Sequence, residues 1–444
     1  MITQKYTKSV AVNMVIANMI GTGIFTAIGY QVMDGGIPDV FSILMIWIIG
    51  GVLSLCGAFA YSEVASVVNR SGGEYSFLTD LYHPILGFLS GWISLIVGFS
   101  AAIAALALAI GEYLLPLLGV SKTFVFSIIG MELSIQKLVA LGVILIVSLI
   151  HMKGVKIGGI FQNYITTFKL ILILAILIVP FVFIGYEPSH VSFMPSEKSM
   201  DTIFSMSFAG SLVWVMFSYS GWNASSYIID DLDNPKKNLP FSLIVGTVVV
   251  TVIYVLLNFV FMYVASFNEL EGQLDVGNVV MQKVLGYNSA LIFSGVFSVA
   301  LFSGVSAMMI AGPRVAEQIG KDYNLFKKLG TKNSKGNPVL AILFLAIVSC
   351  FLVVFSSFKD MIEYIGITLT IFSILTVGGV FIIRTKGLVN KLGVRCWGYP
   401  ITPALFIALS LWMLLYFFSE DPIKIIWCLL TLVPGLVIYF FSKK

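Results

Sequence analysis

Charged residues are scarce in this chain: they make up 11% of its 444 residues, whereas hydrophobic residues make up 58%. A typical soluble domain carries about 25% charged residues. The scarcity argues against a water-soluble protein and predicts an all-α polytopic membrane protein embedded in a lipid bilayer. The net charge of +4 does not indicate a nucleic-acid partner, because Lys and Arg cluster in short loops between apolar segments.

Cysteine and histidine are few as well, with four and three residues. Their spacing matches no metal site, and a disulfide framework is not plausible. The sequence also contains no cluster of His, Asp and Glu and no nucleophile motif. We therefore expect neither a cofactor nor an enzyme. A selectivity filter and a ring of charges are missing too, which argues against an ion channel.

Apolar segments repeat along the chain and predict twelve transmembrane helices, since about 20 apolar residues cross a bilayer. With the amino terminus placed in the cytoplasm, most of the 26 Lys and Arg residues face inward. We therefore expect a cell-membrane protein with both termini cytoplasmic. The predicted spans are residues 10–33, 41–66, 83–115, 137–152, 159–186, 203–230, 240–265, 288–313, 338–357, 361–384, 401–418 and 423–441.

Two of these spans, the first and the sixth, are interrupted near their middle by glycine. Glycine is a poor helix former, and free backbone groups at membrane depth survive only in protein or in a watery cavity. Such breaks in corresponding halves point to the binding site of a transporter. Because five spans are an odd number, residues 1–186 and 203–386 form a predicted 5+5 inverted repeat, with residues 400–444 outside it.

The first break is Gly21-Thr22-Gly23, preceded by Met19 and Ile20. Free amides at the start of the following half-helix suit a carboxylate, and free carbonyls at the end of the preceding one suit an ammonium group. A zwitterion of amino-acid size satisfies both. The alternative is a packing face of small residues, since Gly is frequent in membrane helices.

The second break is centred on Ser220 and Gly221 and follows Phe217 and Ser218. Each polar group in such a span must find a partner or face water. Phe217 and Trp222 bracket the break, so an aromatic gate over the substrate and plain packing are both open for them. Further serines, Ser225 and Ser226, are expected to make interhelical hydrogen bonds.

Lys169 lies inside the fifth predicted span, where inserting a lysine costs about 2.5 to 3.5 kcal/mol unless it is paired or hydrated. Its depth is too great for comfortable snorkelling to the interface. We expect it to bond carbonyls freed at the first break, or the hydroxyl groups of Ser303 and Ser306 in the eighth span. A fixed cation there would replace a sodium ion or, with a lowered pKa, carry a proton.

Charged residues also gather at the expected cytoplasmic ends of spans two and six. Glu63, Arg70, Asp230 and Asp231 are candidates for an inner gate of ion pairs. The alternative is interfacial charge that serves topology alone. Arg314 follows a Gly-Pro pair and is expected to end the eighth span as a cytoplasmic anchor.

The ordered set of motifs resembles the amino acid–polyamine–organocation superfamily, and within it the L-type amino acid transporter-like bacterial permeases. The resemblance covers spans one to eight in motifs and the whole chain in plan. The matching pieces are residues 21–25 (GTGIF), 70–75 (RSGGEY), 217–223 (FSYSGWN), 234–240 (NPKKNLP), 312–314 (GPR) and Lys169.

The resemblance implies a leucine-transporter-type fold with discontinuous helices 1 and 6 and two extra helices. It implies that the substrate carboxylate meets amides at positions 21–23, and that the amino group meets carbonyls of Met19, Phe217 and Ser220. It also implies an aromatic gate at Phe217. At Lys169 it implies a lysine in a sodium site, and hence sodium-independent transport by exchange or proton symport with alternating access.

One departure concerns partners: the loop at 116–136 has no cysteine, so we expect no disulfide-linked ancillary subunit. The sequence around residues 97–102 (VGFSAA) is small and apolar, and we find no acidic residue mid-span near either break. This favours neutral amino acids as substrates. A cationic amino acid or polyamine carrier, which needs an acidic group in the pocket, and a non-transporting amino-acid sensor remain the alternatives.

Overall fold

The structure is a computed structural model that describes residues 5–33, 36–121, 125–128, 131–183, 192–195, 197, 199–203, 205–273, 275–355, 358–420 and 423–442. Helices dominate this part of the chain. The strands among the described residues, β1 (Val125–Ile128) and β2 (Met131–Ser134), pair antiparallel. The expected cytoplasmic ends, residues 1–4 and 443–444, lie outside the described ranges.

Within the described residues, the first half contains eight α-helices and a short π-helix, and at least one helix lies in each predicted span of this half. Their bounds are α1 Lys8–Met19, α2 Gly23–Gln31, α3 Val40–Val68, α4 Glu74–Leu81, α5 Pro84–Ile93, the π-helix Ser94–Phe99, α6 Ser100–Leu117, α7 Ile135–Met152 and α8 Val155–Val182.

The second half continues the helical plan, again with a helix at each predicted span. Two 3-10 helices, Ala224–Asp231 and Asn324–Gly330, interrupt the series. The α-helices are α9 Ser199–Ile203, α10 Met206–Tyr219, α11 Pro235–Val264, α12 Phe267–Leu270, α13 Val276–Leu285, α14 Tyr287–Asp322, α15 Val339–Phe355, α16 Phe358–Lys386, α17 Ile401–Glu420 and α18 Ile423–Ser442.

Length and composition qualify many of these helices as membrane spans. Within the described residues, eight helical stretches are long and apolar enough to cross a membrane, and three further apolar helices are shorter. Large apolar side chains face outward on these helices, for example Leu145 and Ile171, each 59% exposed. The chain is therefore a multi-pass, all-α membrane protein. The eight stretches are Lys8–Gln31, Val40–Val68, Pro84–Leu117, Ile135–Met152, Val155–Val182, Pro235–Val264, Tyr287–Asp322 and Leu369–Lys386.

Short polar side chains fix where several helices begin. Asp39 accepts a hydrogen bond from the amide of Ser42 at 2.9 Å and caps α3. Ser205 accepts from the amide of Phe208 at 3.2 Å and caps α10. Such N-caps satisfy amides that have no partner inside the helix. Ser205 thereby fixes the start of α10, the helix that leads into the second break.

The two broken helices lie in the middle of the bundle. α1 packs against α8, α11 and α14, while α2 and α3 both pack against α10. α1 and α2 bury most of their residues, including Met14, Ile16 and Ile24. A helix pair that is buried all round cannot face lipid. The breaks therefore lie where backbone polar groups can be served by protein or by a cavity.

The eighth predicted span is longer than its sequence suggests. We predicted its end at residue 313, with Arg314 anchored in the cytoplasm, but α14 continues through Pro313 to Asp322. Arg314 is buried, at 1% exposure, and its Nε lies 2.6 Å from a carboxylate oxygen of Asp231. The prediction of a helix end was wrong because tertiary ion pairing supports the turns beyond the proline.

Candidate functional site

The first break separates α1 from α2 by three residues, Ile20, Gly21 and Thr22. The amide of Gly21 bonds the carbonyl oxygen of Met19 at 2.9 Å, so the chain turns sharply at this point. Among the described residues, no backbone hydrogen bond is made by the amides of Thr22, Gly23 or Ile24. These three amides are the open donors at the start of a half-helix.

The second break follows α10, which ends at Tyr219. The amide of Ser220 bonds the carbonyl oxygen of Phe217 at 3.0 Å. Gly221 then takes a φ of +94°, a conformation that favours glycine. The chain resumes as the 3-10 helix Ala224–Asp231 instead of an α-helix. The sixth predicted span is therefore a discontinuous helix, broken between Tyr219 and Ala224.

The two breaks touch each other at two points. A Cβ added to Gly23 would lie 2.6 Å from the Ser218 hydroxyl oxygen, and one added to Gly221 would lie 2.7 Å from the Asn18 Cβ. Both distances are far below an ordinary van der Waals contact. The glycines are therefore required because the backbone of one broken helix is packed against the other.

A cavity of about 130 Å³ opens between the breaks. In another protein, a cavity of roughly 150 Å³ holds a benzene molecule, so this volume suits a small amino acid. The predicted substrate-binding positions divide clearly: Ile20 does not line the cavity, whereas the others do, namely Met19, Gly21, Thr22, Gly23, Phe217, Ser218, Ser220 and Gly221.

The opposite wall of the cavity comes from the third predicted span. Residues 94–99 form a π-helix, and Ser94, Gly98, Phe99 and Ala102 face the cavity. π-Helical turns are rare and occur frequently at functional sites. The small apolar wall agrees with the sequence reading of residues 97–102, but the π-helix itself has no signal in the sequence pattern.

The two aromatic gate candidates differ in their surroundings. Phe217 is half-buried and lines the cavity directly. Trp222 also lines it, yet it is only 5% exposed and packs between Tyr61, with ring centroids 4.6 Å apart, and Phe406, at 6.0 Å. Phe217 is therefore less deeply buried than Trp222, which is packed between two aromatic rings as part of the wall.

Lys169 on α8 reaches the first break. Its Nζ donates to the carbonyl oxygen of Ile20 at 2.5 Å and to that of Ala17 at 3.5 Å, and the residue is fully buried. Its predicted hydroxyl partners are engaged elsewhere: Ser303 donates to the Ala300 carbonyl at 2.8 Å, and Ser306 pairs with His151. Of the two predicted alternatives for Lys169, the structure has the contact with the freed carbonyls and not the one with Ser303 and Ser306.

Tyr254 on α11 joins both breaks and was not singled out by the sequence. Its hydroxyl oxygen lies 2.5 Å from the carbonyl oxygen of Met19 and 2.8 Å from that of Ser218. The residue is fully buried. The Met19 carbonyl thus accepts from both Gly21 and Tyr254, so it is already well occupied. One tyrosine in an apolar helix gives no sequence signal that distinguishes it from a packing residue.

Glu74 is a second residue near the breaks that the sequence did not single out, and it lines the cavity. It begins α4, in the loop between the second and third predicted spans, yet its side chain lines the cavity and is only 1% exposed. The hydroxyl group of Tyr61 donates to Glu74 Oε1 at 2.5 Å, and that of Ser373 donates at 2.9 Å. The expectation of a pocket without an acidic group is therefore wrong.

A family model described as amino acid permease matches residues 9–440, nearly the whole chain. The chain belongs to the amino acid permease family. The resemblance to the amino acid–polyamine–organocation superfamily is thereby confirmed, and the permease is a membrane transporter and not an enzyme.

Curated relatives of the permease share about a quarter of its residues over nearly its full length. The b(0,+)-type amino acid transporter 1 of Mus musculus is 26% identical over 434 residues, covering 96% of this chain and 85% of the relative. The serine/threonine exchanger SteT of Bacillus subtilis (strain 168) is 26% identical, with coverages of 98% and 95%. The large neutral amino acids transporter small subunit 2 of Mus musculus is 26% identical, with coverages of 97% and 80%.

Two inner-gate candidates of the permease form ion pairs with residues far away in sequence. Arg70 lies 3.0 Å from Asp322 at the end of α14 and 3.3 Å from Asp80. Asp231 lies 2.6 Å from Arg314 and 2.8 Å from Lys332. Arg70 thus ties the loop after α3 to the end of α14. Asp231 ties the end of the 3-10 helix Ala224–Asp231 to α14 and to Lys332 in the segment after it.

The other two candidates bond elsewhere. Asp230 accepts from the amide of Ser71 at 3.1 Å and from Gln318 at 3.1 Å. Glu63 pairs with Arg384 of α16, at 2.8 Å, and not with Arg70. The structure of the permease therefore distributes the four candidates over several small networks on one side of the bundle instead of joining them in one.

Proposed function

We propose that the chain is a sodium-independent secondary transporter of neutral L-amino acids that works by alternating access. In this proposal it is a cell-membrane protein with twelve spans and both termini in the cytoplasm. Residues 1–186 and 203–386 form the 5+5 inverted repeat, and residues 400–444 add two helices. The observation that carries the proposal is the amino-acid-sized cavity between two broken helices whose backbone groups are open.

The proposed site binds the two charged groups of the substrate at different breaks. The amides of Thr22 and Gly23 bind the α-carboxylate, since a helix start favours an anion. The amide of Gly21 joins them only by giving up its hydrogen bond to the Met19 carbonyl oxygen, which is 2.9 Å long. The carbonyl oxygens of Phe217 and Ser220 bind the α-ammonium group. The Met19 carbonyl joins them only in competition with Tyr254, which already donates to it at 2.5 Å. Phe217 covers the bound substrate.

Lys169 supports sodium independence. Its ammonium group bonds the carbonyl oxygens of Ala17 and Ile20 at the end of α1, and a fixed cation there stabilises the negative end of the half-helix. A sodium ion at the same carbonyls would meet this positive charge. In our proposal Lys169 also couples the first break to α8 as the site opens and closes.

In this proposal the inner-gate residues Glu63, Arg70, Asp230 and Asp231 close the cytoplasmic side of the site. Arg70, Asp230 and Asp231 do so through side chains of α14, and Glu63 does so through Arg384 of α16. The chain also acts without a disulfide-linked subunit. This rests on the loop at 116–136, which contains no cysteine. Exchange and proton symport are the two modes of coupling that the experiment below separates.

A second candidate function has a specific observation in its favour. A cationic amino acid or polyamine carrier requires an acidic group in the pocket, and Glu74 lines the cavity. The same cavity could therefore take neutral amino acids alone or also amino acids with a positive side chain. Glu74 decides whether the pocket takes only neutral side chains or positive ones as well.

The experiment is uptake of labelled neutral amino acids by proteoliposomes in sodium-free buffer. The vesicles are empty or preloaded with amino acid, with or without an inward proton gradient. Uptake only into preloaded vesicles establishes exchange, and uptake driven by the gradient into empty vesicles establishes proton symport. Binding without any flux would contradict the proposal and favour an amino-acid sensor.

A further inference from the structure

Glu74 is a buried acid whose two carboxylate oxygens have very different surroundings. Oε1 accepts from Tyr61 at 2.5 Å, from Ser373 at 2.9 Å and from Asn223 Nδ2 at 3.3 Å. Oε2 has no hydrogen-bond partner among the described residues. One oxygen is thus fixed by three donors, while the other is left with its acceptor capacity unused.

The donors that fix Oε1 come from three separate elements. Tyr61 lies on α3, Ser373 on α16, and Asn223 directly follows the second break. A carboxylate held from three sides has a fixed orientation, which is the arrangement expected of a pre-organised binding group. Because Glu74 and Asn223 both line the cavity, the fixed carboxylate belongs to the wall of the same site.

Glu74 also has no opposite charge to compensate it. None of the ion pairs found in the described parts of the chain includes this residue, although it is only 1% exposed. Burying an acid without a partner is costly, so folding alone gives no reason to keep one in this wall. A ligand that brings a hydrogen-bond donor to Oε2 would supply the missing partner.

We propose that Glu74 is a specificity-determining residue that selects amino acids whose side chain carries a hydrogen-bond donor. This inference rests on the proposed function, because it assumes that the two breaks hold the α-amino and α-carboxylate groups. The donor is a hydroxyl group or an ammonium group, and the shared chemistry is donation to Oε2. Side chains without a donor fit the cavity but leave Oε2 unsatisfied.

The test compares isosteric substrates by displacement of labelled L-alanine from the purified full-length protein. Alanine has no side-chain donor and reports the backbone site alone. Threonine and valine have nearly the same shape, and only threonine has a donor. We expect threonine to displace the label at a roughly tenfold to hundredfold lower concentration than valine, the effect of one hydrogen bond to a charged group.

The variant Glu74→Gln replaces the free acceptor with a donor-bearing amide of the same size. We expect the threonine-to-valine ratio to fall close to one, while alanine still binds. Glu271→Gln, an exposed acid on the loop after α12, is the control and should keep the ratio of the unmodified protein. If Glu74→Gln does not fold, Glu74→Asp withdraws the carboxylate by one methylene group and should also lower the ratio.

A further arm separates the two sources of the donor. If 2,4-diaminobutyrate displaces the label better than threonine, and loses this advantage in Glu74→Gln, the site recognises positive charge. If only threonine has the advantage, the site recognises a hydroxyl group. Either result supports the proposal, because both require Oε2 as acceptor.

Three results would overturn the proposal. The unmodified protein could bind threonine and valine equally well. Glu74→Gln could weaken all substrates by the same factor, as a purely structural acid would. It could also abolish proton-driven uptake with the threonine-to-valine ratio unchanged, which would make Glu74 a proton site. Binding of alanine without transport would instead contradict the proposed function. The threonine-to-valine ratio could still be compared between the unmodified protein and Glu74→Gln.

Discussion

The ammonium group of Lys169 lies 2.5 Å from the carbonyl oxygen of Ile20, the residue at which the first helix breaks. The lysine comes from α8 and is fully buried. A cation at the carboxyl end of a half-helix is favourable because the free carbonyls there are partly negative. One side chain thus satisfies a broken backbone and connects it to a neighbouring helix.

Replacing this lysine tests the connection. Lys169→Met keeps a similar length but removes the charge and the hydrogen bonds to Ile20 and Ala17. We expect uptake of amino acid to fall by at least about tenfold, because two freed carbonyls lose a charged donor. The measurement is initial uptake rate per folded protein in proteoliposomes. Lys237→Met, at an exposed lysine of α11, is the control, and equal rates for both variants would refute the role of Lys169.

Gly23 tests the contact between the breaks. An alanine Cβ there would lie 2.6 Å from the Ser218 hydroxyl oxygen and 3.1 Å from the Ser218 Cα. Since the Cα belongs to the backbone of the second broken helix, it cannot move away freely. We expect Gly23→Ala to lower substrate affinity or uptake by at least about tenfold, a loss of roughly 1.4 kcal/mol.

A matched control for this substitution lies on α7. A Cβ added to Gly142 would meet nothing within 4 Å, and alanine is a better helix former than glycine. Gly142→Ala should therefore retain full uptake and at least the original stability. If Gly23→Ala behaves in the same way as Gly142→Ala, the breaks are not packed as described.

Tyr254 provides a test of the hydroxyl group that joins the two breaks. Tyr254→Phe removes this hydroxyl but keeps the ring, which packs against Trp47 with centroids 5.2 Å apart. We expect weaker substrate binding with little loss of stability, since the carbonyls of Met19 and Ser218 lose their common donor. Binding of labelled amino acid measures the effect. Tyr164→Phe, at a tyrosine that is 76% exposed, should bind as the unmodified protein does.

Asp275 gives a prediction about pH. It caps α13 outside the membrane-spanning helices, accepting from the amide of Asn278 at 3.0 Å. Burial raises its pKa to about 7, the capping bond lowers it, and the nearby charge of Glu112 raises it. A carboxyl whose pKa is raised in the folded state stabilises the fold at low pH, and this contribution is lost as the pH rises from about 4 to 7.

The variant Asp275→Asn keeps a capping side chain and removes the titration. We expect its melting temperature to exceed that of the unmodified protein at pH 8, and the difference to disappear or reverse near pH 4. Thermal unfolding across this range measures it. Asp201→Asn, at an exposed aspartate, should show no such trend. If the unmodified protein gained stability over Asp275→Asn as the pH rises from 4 to 8, the raised pKa of Asp275 would be contradicted.

Local signals explain what the sequence could predict. Helices occupy all the predicted spans because long apolar runs have few alternatives in a membrane. The two breaks were visible as glycines among polar residues, and Lys169 was visible as a charge in an apolar run. Each of these signals is contained in one short stretch of the chain, so no knowledge of tertiary packing was needed.

Tertiary packing explains what the sequence could not predict. Glu74 follows the second predicted span and reads as part of a cytoplasmic loop, and only the fold brings it to the cavity wall. Tyr254 looks like any aromatic residue of a membrane helix. α14 continues past Pro313 because Arg314 pairs with Asp231, an interaction between residues 83 positions apart. Such contacts leave no trace in local periodicity.

In the proposed site, the two broken helices bind the α-ammonium and α-carboxylate groups of one amino acid. The most direct measurement is displacement of labelled L-alanine by compounds that lack one of these groups, namely N-acetyl-L-alanine and L-alaninamide, in sodium-free buffer. We predict that unlabelled L-alanine displaces the label and that both blocked compounds fail to do so at a hundredfold excess. Equal displacement by either blocked compound would contradict the account.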